Sequence, residues 1–286
     1  MKIIRIILIA IVIGSTVMPF MPVRLNAQTN ITLYSKSPES TPDLLKASAA
    51  IISERIKDYT GKEPECEISP AEGKIKIQVK GEWSPELLVE LAVRKGEMNI
   101  YEVIEASTVL SSLSADNSMA QKIRDEAAKG TGKPEILIVS PDETTSAIEA
   151  LQAGNTRLPV LWTFGVPGPE GVSLYALKLE EGNSPIFQSP PVKEARAIHE
   201  KRSGMNRIEI LFNEQAARIW ADATERNINK FLAMVVDHTA ICVPMVRASI
   251  SGGRSAITGN FTLEELKFME ALLGNGVLPL ELAVVK

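Results

Sequence analysis

Apolar and polar positions alternate most regularly in KIKIQVK, where Ile75, Ile77 and Val79 interleave with Lys74, Lys76 and Gln78. A period of two places one set on each face of a strand, so this segment predicts a half-buried strand. Just upstream the period lengthens. In STPDLLKASAAIISERIKDYTG, Leu44, Leu45, Ile51, Ile52 and Ile56 fall near one helical face. Thr41 offers the N-cap, Pro42 the first helical position and Gly61 the stop. WSPELLVELAVRKG repeats that grammar with Ser84, Pro85, the apolar Leu87, Leu88 and Leu91, and Gly96. ITLYS, ECEIS and MNIYEVIEA read as short strands around these helices.

The resulting order, β-α-β-β-α-β over residues 31–106, is the ferredoxin-like supersecondary pattern, and it predicts a base subdomain. From 107 to 132 the chain turns polar and alanine-rich, which predicts one or two surface helices. EILIVS predicts a strand and Asp142–Ala153 a helix. LPVLWTFGVPGPEGVSLYALKLE predicts two strands around a proline- and glycine-rich turn. VKEARAIHEK predicts a short helix and NRIEILFN a strand. EQAARIWADATERN predicts a helix with Ala216, Ile219, Trp220 and Ala223 inward. FLAMVVD and ICVPMVRASI predict further strands. Thr262 and Glu265 form a capping box on a helix with Leu263, Leu266, Met269 and Leu273 inward and Gly274 as its stop. The fold class is α+β: the base at 31–106, an α+β head at 107–275, and a last strand at 276–286 that returns to the base.

The N-terminus changes the compartment. Lys2 and Arg5 precede an apolar run from Ile6 to Val17, then Pro19, Pro22 and the small residues before Gln28. This is the grammar of a secretory signal peptide over 1–27, cleaved after Ala27. The alternative is an uncleaved anchor, for which the run is short against the roughly 20 residues a span needs. Only in that case is the protein membrane-associated. Export places the rest in the periplasm or cell envelope. No cysteine follows the cut, which argues against a lipoprotein.

Composition narrows the function. Of 286 residues 45% are hydrophobic and 23% charged, an ordinary globular balance. The formal charge of −4 falls to −7 when Lys2, Arg5 and Arg24 leave with the signal. A chain so charged, with no basic cluster, gives nucleic acid no electrostatic reason to bind. Cys66 and Cys242 stand far apart in sequence; export permits a bridge between them, and two buried thiols are the other reading. Neither lies in a metal-ligand spacing, so no metal or cofactor is expected.

Candidate chemistry is sparse. His199 falls in the charged segment predicted as a helix, and Asp237-His238 at a strand end reads as a turn rather than a relay. No G-x-S-x-G or H-E-x-x-H motif occurs, and no nucleophile has a recognisable base. The stretch ISGGRSAITGNFT (250–262) gathers Gly252, Gly253 and Gly259 near Arg254, but neither G-x-x-x-x-G-K-[ST] nor G-x-G-x-x-G is present. Gly252-Gly253 reads as a turn, RSAIT as extended, and Gly259 as a lead into the Thr262 cap.

The segment from Arg207 to Leu282 carries a resemblance. Phe212-Asn213 ends a strand, and Thr224 and Asn227 form a Thr-x-x-Asn helix ending. Asp237 closes an apolar strand; Pro244, the Gly252-Gly253 turn, Ile257–Phe261 as I-T-G-x-F with Gly259 and Phe261, and Gly276–Pro279 as G-x-L-P follow in order. This series resembles the large first periplasmic domain of the SecD and SecDF protein-export family. HTAICVP departs from that family's usual lead-in, and the chain stops where the family's next membrane helix would begin. A complete proton-driven translocation subunit is therefore not expected. The resemblance implies a non-enzymatic envelope protein with no cofactor. Its implied partners are unfolded or nascent exported polypeptide and Sec translocon components. The alternative is a structural or regulatory envelope protein that kept the fold and lost the transport role. A hydrolase, which would need a nucleophile and base, ranks below both. Extended chains can be held by backbone pairing at a sheet edge, and Leu161, Trp162 and Phe164 within Leu158–Leu179 are the candidate apolar contacts, ordinary core being the other reading.

Overall fold

The computed structural model describes residues 27–285 except 115, 131, 155–157, 201–203 and 260. The predicted signal segment before Ala27 lies outside the described residues. The chain opens with β1 (Gln28–Ser35) and α1 (Pro42–Thr60). The Thr41 side chain accepts the Leu44 N–H at the helix start, and Gly61, at φ 69°, returns its N–H to the Lys57 carbonyl at the end. β2 (Glu65–Ser69), β3 (Lys74–Lys80), α2 (Pro85–Val93) and β4 (Met98–Glu102) follow. Ser84 caps α2 through the Leu87 N–H, but the helix ends at Arg94 rather than at Gly96.

Next come α3 (Ala106–Ser112), α4 (Ser118–Ala128), β5 (Leu137–Val139), α5 (Thr144–Gly154), β6 (Val160–Gly165), β7 (Val172–Lys178) and β8 (Phe187–Gln188). The chain then runs through β9 (Val192–Glu200), β10 (Met205–Phe212), α6 (Glu214–Arg226), β11 (Leu232–Val236) and β12 (Thr239–Cys242). It closes with β13 (Arg254–Thr258), α7 (Leu263–Gly274) and β14 (Leu282–Val284). The expected capping box on α7 is present, Thr262 taking the Glu265 N–H and Glu265 taking the Thr262 N–H. Among the described residues no helix is long and apolar enough to cross a membrane.

These elements divide into two compact units. One holds Asn99–Gln188 and Asp222–Ser249; the other holds residues 27–98, Ser189–Ala221 and the described residues from Ile250 onward. The expected head at 107–275 is not one of them, because β9, β10, β13 and α7 group with the N-terminal module. The physical reason is packing: α7 lies against both β9 and α1.

That second unit contains a four-stranded antiparallel sheet in the order β14-β1-β3-β2. Ile31 and Leu33 of β1 and Ile75, Ile77 and Val79 of β3 are buried, as the alternation requires. The fourth place belongs to β14, through Leu33↔Val284 and Ser35↔Leu282. Residues 98–102, expected to close this sheet, do form a strand but pair elsewhere. β4 buries Met98, Ile100 and Tyr101 on both its faces, a pattern that suits the interior of a larger sheet. The unit also holds a three-stranded sheet, β13-β10-β9. Its β9 covers 192–200, where helix-forming Lys, Glu, Ala and Arg predict a helix. Pairing along β10 from Glu200↔Met205 to Ala195↔Ile210 overrides that local preference.

The first unit is built on a seven-stranded sheet in the order β5-β7-β6-β12-β11-β4-β8. Val109, Ile123, Leu151, Trp162, Phe164 and Leu174 belong to one apolar cluster, with helices α3, α4 and α5 contributing the first three. A second cluster joins Tyr101, Leu177, Ala233, Val235 and Ala240.

Candidate functional site

The residues expected to touch a bound chain are not on an edge. β6 pairs with β7 along Val160↔Lys178 to Phe164↔Leu174 and with β12 at Thr239↔Phe164. Trp162 is 7% exposed and Phe164 8%, both inside the apolar cluster, while Leu161 is half-buried against the second cluster. An apolar run covered on both faces gives the same sequence pattern as an apolar edge, so sequence alone cannot separate them. The edges of this sheet are the short β5 and β8.

The glycine-rich stretch is a backbone device. Gly253 sits at φ 65°, and a Cβ there would meet the Ala217 Cβ at 2.6 Å. Its carbonyl takes the Phe212 N–H at 2.9 Å, so the turn starts the pairing of β13 with β10. Gly252 has open space around it and needs no such freedom. Arg254 is exposed on β13. A Cβ on Gly259 would meet the Phe261 ring at 2.8 Å. The Phe261 carbonyl accepts a hydrogen bond from Asn206 of β10, which ties the strand to the start of α7.

Asp237 and His238 both adopt positive φ, 46° and 72°, between the paired Val236 and Thr239. Two residues in the left-handed region joining two strands form the mirror-image hairpin turn, so no catalytic relay is built here. His199, expected on a helix, lies on β9 with Nδ1 2.7 Å from Asn206 Oδ1. Cys66 is exposed on β2 and Cys242 is half-buried on β12, and no disulfide joins them. Ile219 and Leu263, expected inward, are 40% and 51% exposed.

Two polar clusters were not foreseen. Arg55, on α1, is fully buried. Nη1 donates to the carbonyls of Leu91 (3.3 Å) and Arg94 (2.6 Å), and Nη2 to those of Lys95 (3.0 Å) and Gly276 (2.5 Å). One guanidinium thus satisfies the orphan carbonyls at the end of α2 and binds the turn before β14. Gly96 is small because a Cβ there would come 2.4 Å from Nη2. A signal did exist: Ser48 and Arg55 fall on the same helical stripe as Leu45, Ile52 and Ile56.

The second cluster surrounds Glu102 at the end of β4. Its carboxylate receives Asn227 Nδ2 at 3.1 Å and Lys178 Nζ at 3.1 Å. Burial pulls this carboxyl's pKa up, but the bonds from Asn227 and Lys178 outweigh burial and hold it below its ordinary value. Asn227, 1% exposed, also donates to the Ala223 carbonyl, so it both ends α6 and anchors β4. Among the described residues no group of three or more His, Cys, Asp or Glu is disposed to hold a metal.

Comparison with known proteins finds a partial likeness. The family model described as "SecDF, P1 head subdomain" matches residues 175–280. This stretch of the chain is similar to a SecDF P1 head subdomain. The SecD translocase subunit of Endomicrobium trichonymphae is 38% identical over 123 residues, 41% of this chain and 26% of its own. That of Leptotrichia buccalis is 29% identical over 113 residues, 39% of this chain and 28% of its own. The SecDF of Thermus thermophilus is 26% identical over 171 residues, 59% of this chain and 22% of its own. Each match thus takes in less than a third of the relative's length.

The fold likeness runs further than the sequence match. A structure of SecDF, titled as a membrane component that enhances protein export, covers 90% of this chain and 98% of its own, with a TM-score of 0.57 at 19% identity. A second SecDF structure covers 94% of this chain with a TM-score of 0.60 at 20% identity.

Within the matched stretch, the residues that carry the resemblance are structural. The Phe212 ring meets Trp220 edge-on at 5.9 Å, and Asn213 Oδ1 caps α6 by accepting the Ala216 N–H at 2.8 Å. Thr224 is fully buried, and the Pro244 carbonyl takes the Leu232 N–H. Gly276 stands at φ 82°, and Pro279 is exposed in the turn that follows. β9 is the outer strand of its sheet, nine residues long, with Lys193 and Arg196 exposed.

Proposed function

We propose that this protein is a non-enzymatic component of the cell envelope that assists protein export by holding extended, exported polypeptide. The match to the SecDF P1 head model over 175–280 carries this reading, and the fold likeness along most of the chain supports it. The implied partners are the exported chains themselves and Sec translocon components, and the implied place is the periplasmic side of the envelope. β9 is the edge we assign to the polypeptide, because its length leaves a long row of main-chain groups available for strand addition. Backbone pairing distinguishes side chains poorly, so binding should be weak and tolerant of sequence. Exposed charges of both signs on β9 keep such an edge from pairing with copies of itself.

The test is photo-crosslinking. A photoreactive residue is placed at Lys193 or Arg196, or at Leu161 as the control, and the protein is offered a reduced, unfolded model protein. Crosslinks from β9 alone are expected. Crosslinks from position 161 alone would move the site, and none from any position would leave a structural role in the envelope.

A further inference from the structure

β9 is an edge with two unlike faces. Its pairing with β10 sets Ala195 opposite Ile210, Ala197 opposite Ile208 and His199 opposite Asn206. Opposed residues share a face, and Ile208 and Ile210 are buried, so this is the covered face of the sheet. The other face carries Glu194, Arg196 and Ile198 on β9 with Arg207, Glu209 and Leu211 on β10. Arg196 pairs with Glu194 and Arg207 with Glu209, and the side chains of Arg196 and Glu194 are 66% and 41% exposed.

α7 covers the first face, and it does so at the edge. A Cβ on Gly274 would stand 3.9 Å from that of Ala195, and the Asn206 bond to the Phe261 carbonyl holds the start of α7 at the His199 end. α7 therefore runs along β9. From Leu263 to Gly274 a helix rises about 16 Å, and from His199 to Ala195 a strand spans about 13 Å. Leu263, Lys267 and Gly274 are exposed and fall on one stripe of the helix. Because Gly274 of that stripe neighbours Ala195, the stripe looks out over the outer side of β9. Between them is a notch, with the small side chains of Ala195 and Ala197 below and Leu263, 51% exposed, above.

The notch decides which extended chains fit. In an antiparallel ladder every second residue of β9 turns its N–H and C=O away from β10, towards a strand added outside. Successive side chains of that strand point to opposite faces. One set would lie under α7 beside Ala195 and Ala197, where apolar groups gain by leaving water and a charge would be desolvated. The other set would lie in water beside Glu194 and Arg196, where groups of either sign find an opposite charge. A chain with apolar residues at every second position satisfies both faces at once. The same residues in a block, or at helical spacing, set apolar groups on the charged row or polar groups under α7.

We infer that the β9 edge reads spacing rather than identity: it takes extended segments whose apolar and polar residues alternate, the unpaired strands of exported β-sheet proteins. The inference rests on β9 as the edge that holds exported polypeptide, and it adds Leu263 as the residue that favours the alternating pattern.

Fluorescent peptides of one composition, valine with lysine, glutamate and threonine, are titrated with the full chain and followed by anisotropy. In one peptide valine alternates with the polar residues, in the second it falls at helical spacing, and in the third it forms a block. The alternating peptide should bind about tenfold tighter than either rearrangement, the sum of a few cross-strand apolar pairs. Leu263→Glu is an exposed change in the first turn of α7, where a helix favours a carboxylate. It should bring the alternating peptide to within about threefold of the others, their binding and the circular dichroism unchanged. Equal affinity for all three peptides, or a preference for the block, would overturn the inference and leave β9 as an edge for any extended chain. An advantage that survives Leu263→Glu would overturn it too, by removing α7 from the site. No binding by any peptide, with no crosslink from Lys193 or Arg196, would instead overturn the export reading and this inference with it.

Discussion

The two units solve the same problem, covering a sheet, in different ways. The unit of Asn99–Gln188 and Asp222–Ser249 stacks three helices and a seven-stranded sheet around apolar clusters. The other unit has smaller sheets with buried apolar faces of their own and adds polar staples: Arg55 across four carbonyls, Asn206 on the Phe261 carbonyl, and the Asn213 and Thr262 caps. A core made of apolar volume loses stability in proportion to what is removed, whereas a stapled one fails at single atoms.

The largest expected loss comes from the apolar side. Trp162→Ala should cost about 4 kcal/mol and should raise hydrogen exchange in 99–188 and 222–249 while 27–98 keeps its protection. Loss of protection in both regions together would break the contrast between units. Arg55→Met should do the reverse. It leaves buried carbonyls of Leu91, Arg94, Lys95 and Gly276 without their donor, a cost of about 3 kcal/mol, read as faster exchange in 85–98 and 276–285. Gly253→Val should cost about 2 kcal/mol, from positive φ and the close Ala217 Cβ together, measured by urea unfolding. Arg254→Ala next to it should stay within about 0.5 kcal/mol of the parent. The smallest effect has the opposite sign: His238→Gly should stabilise the protein by about 0.5 kcal/mol, since glycine adopts the left-handed region without strain.

What could be read from the sequence follows the same contrast. Alternation in 74–80, the Thr41, Ser84 and Thr262 caps and the Asp237-His238 turn are local facts, and the structure has each of them. Long-range pairing is not local. Nothing in MNIYE says that it leaves the first sheet, nor in VKEARAIHE that β10 will draw it into a strand. Leu161, Trp162 and Phe164 could be read as edge contacts or as core because interior and edge strands share one apolar pattern, and the structure has them inside the sheet. Arg55 was passed over as a charged helix position, although Ser48 and Ile52 put it on the buried stripe.

The place of β14 beside β1 has a consequence in time. β1 begins at Gln28 and its partner at Leu282, so a chain that emerges N-terminus first must present every residue between them before that sheet is whole. Until then the outer side of β1 is a bare row of main-chain donors and acceptors, open to any extended strand nearby. Closing so long a loop is also slow, since its entropy is spent before any contact is gained. β14 therefore acts as the clasp on β1, and loss of Leu282–Val284 would leave the opening strand exposed for the life of the molecule.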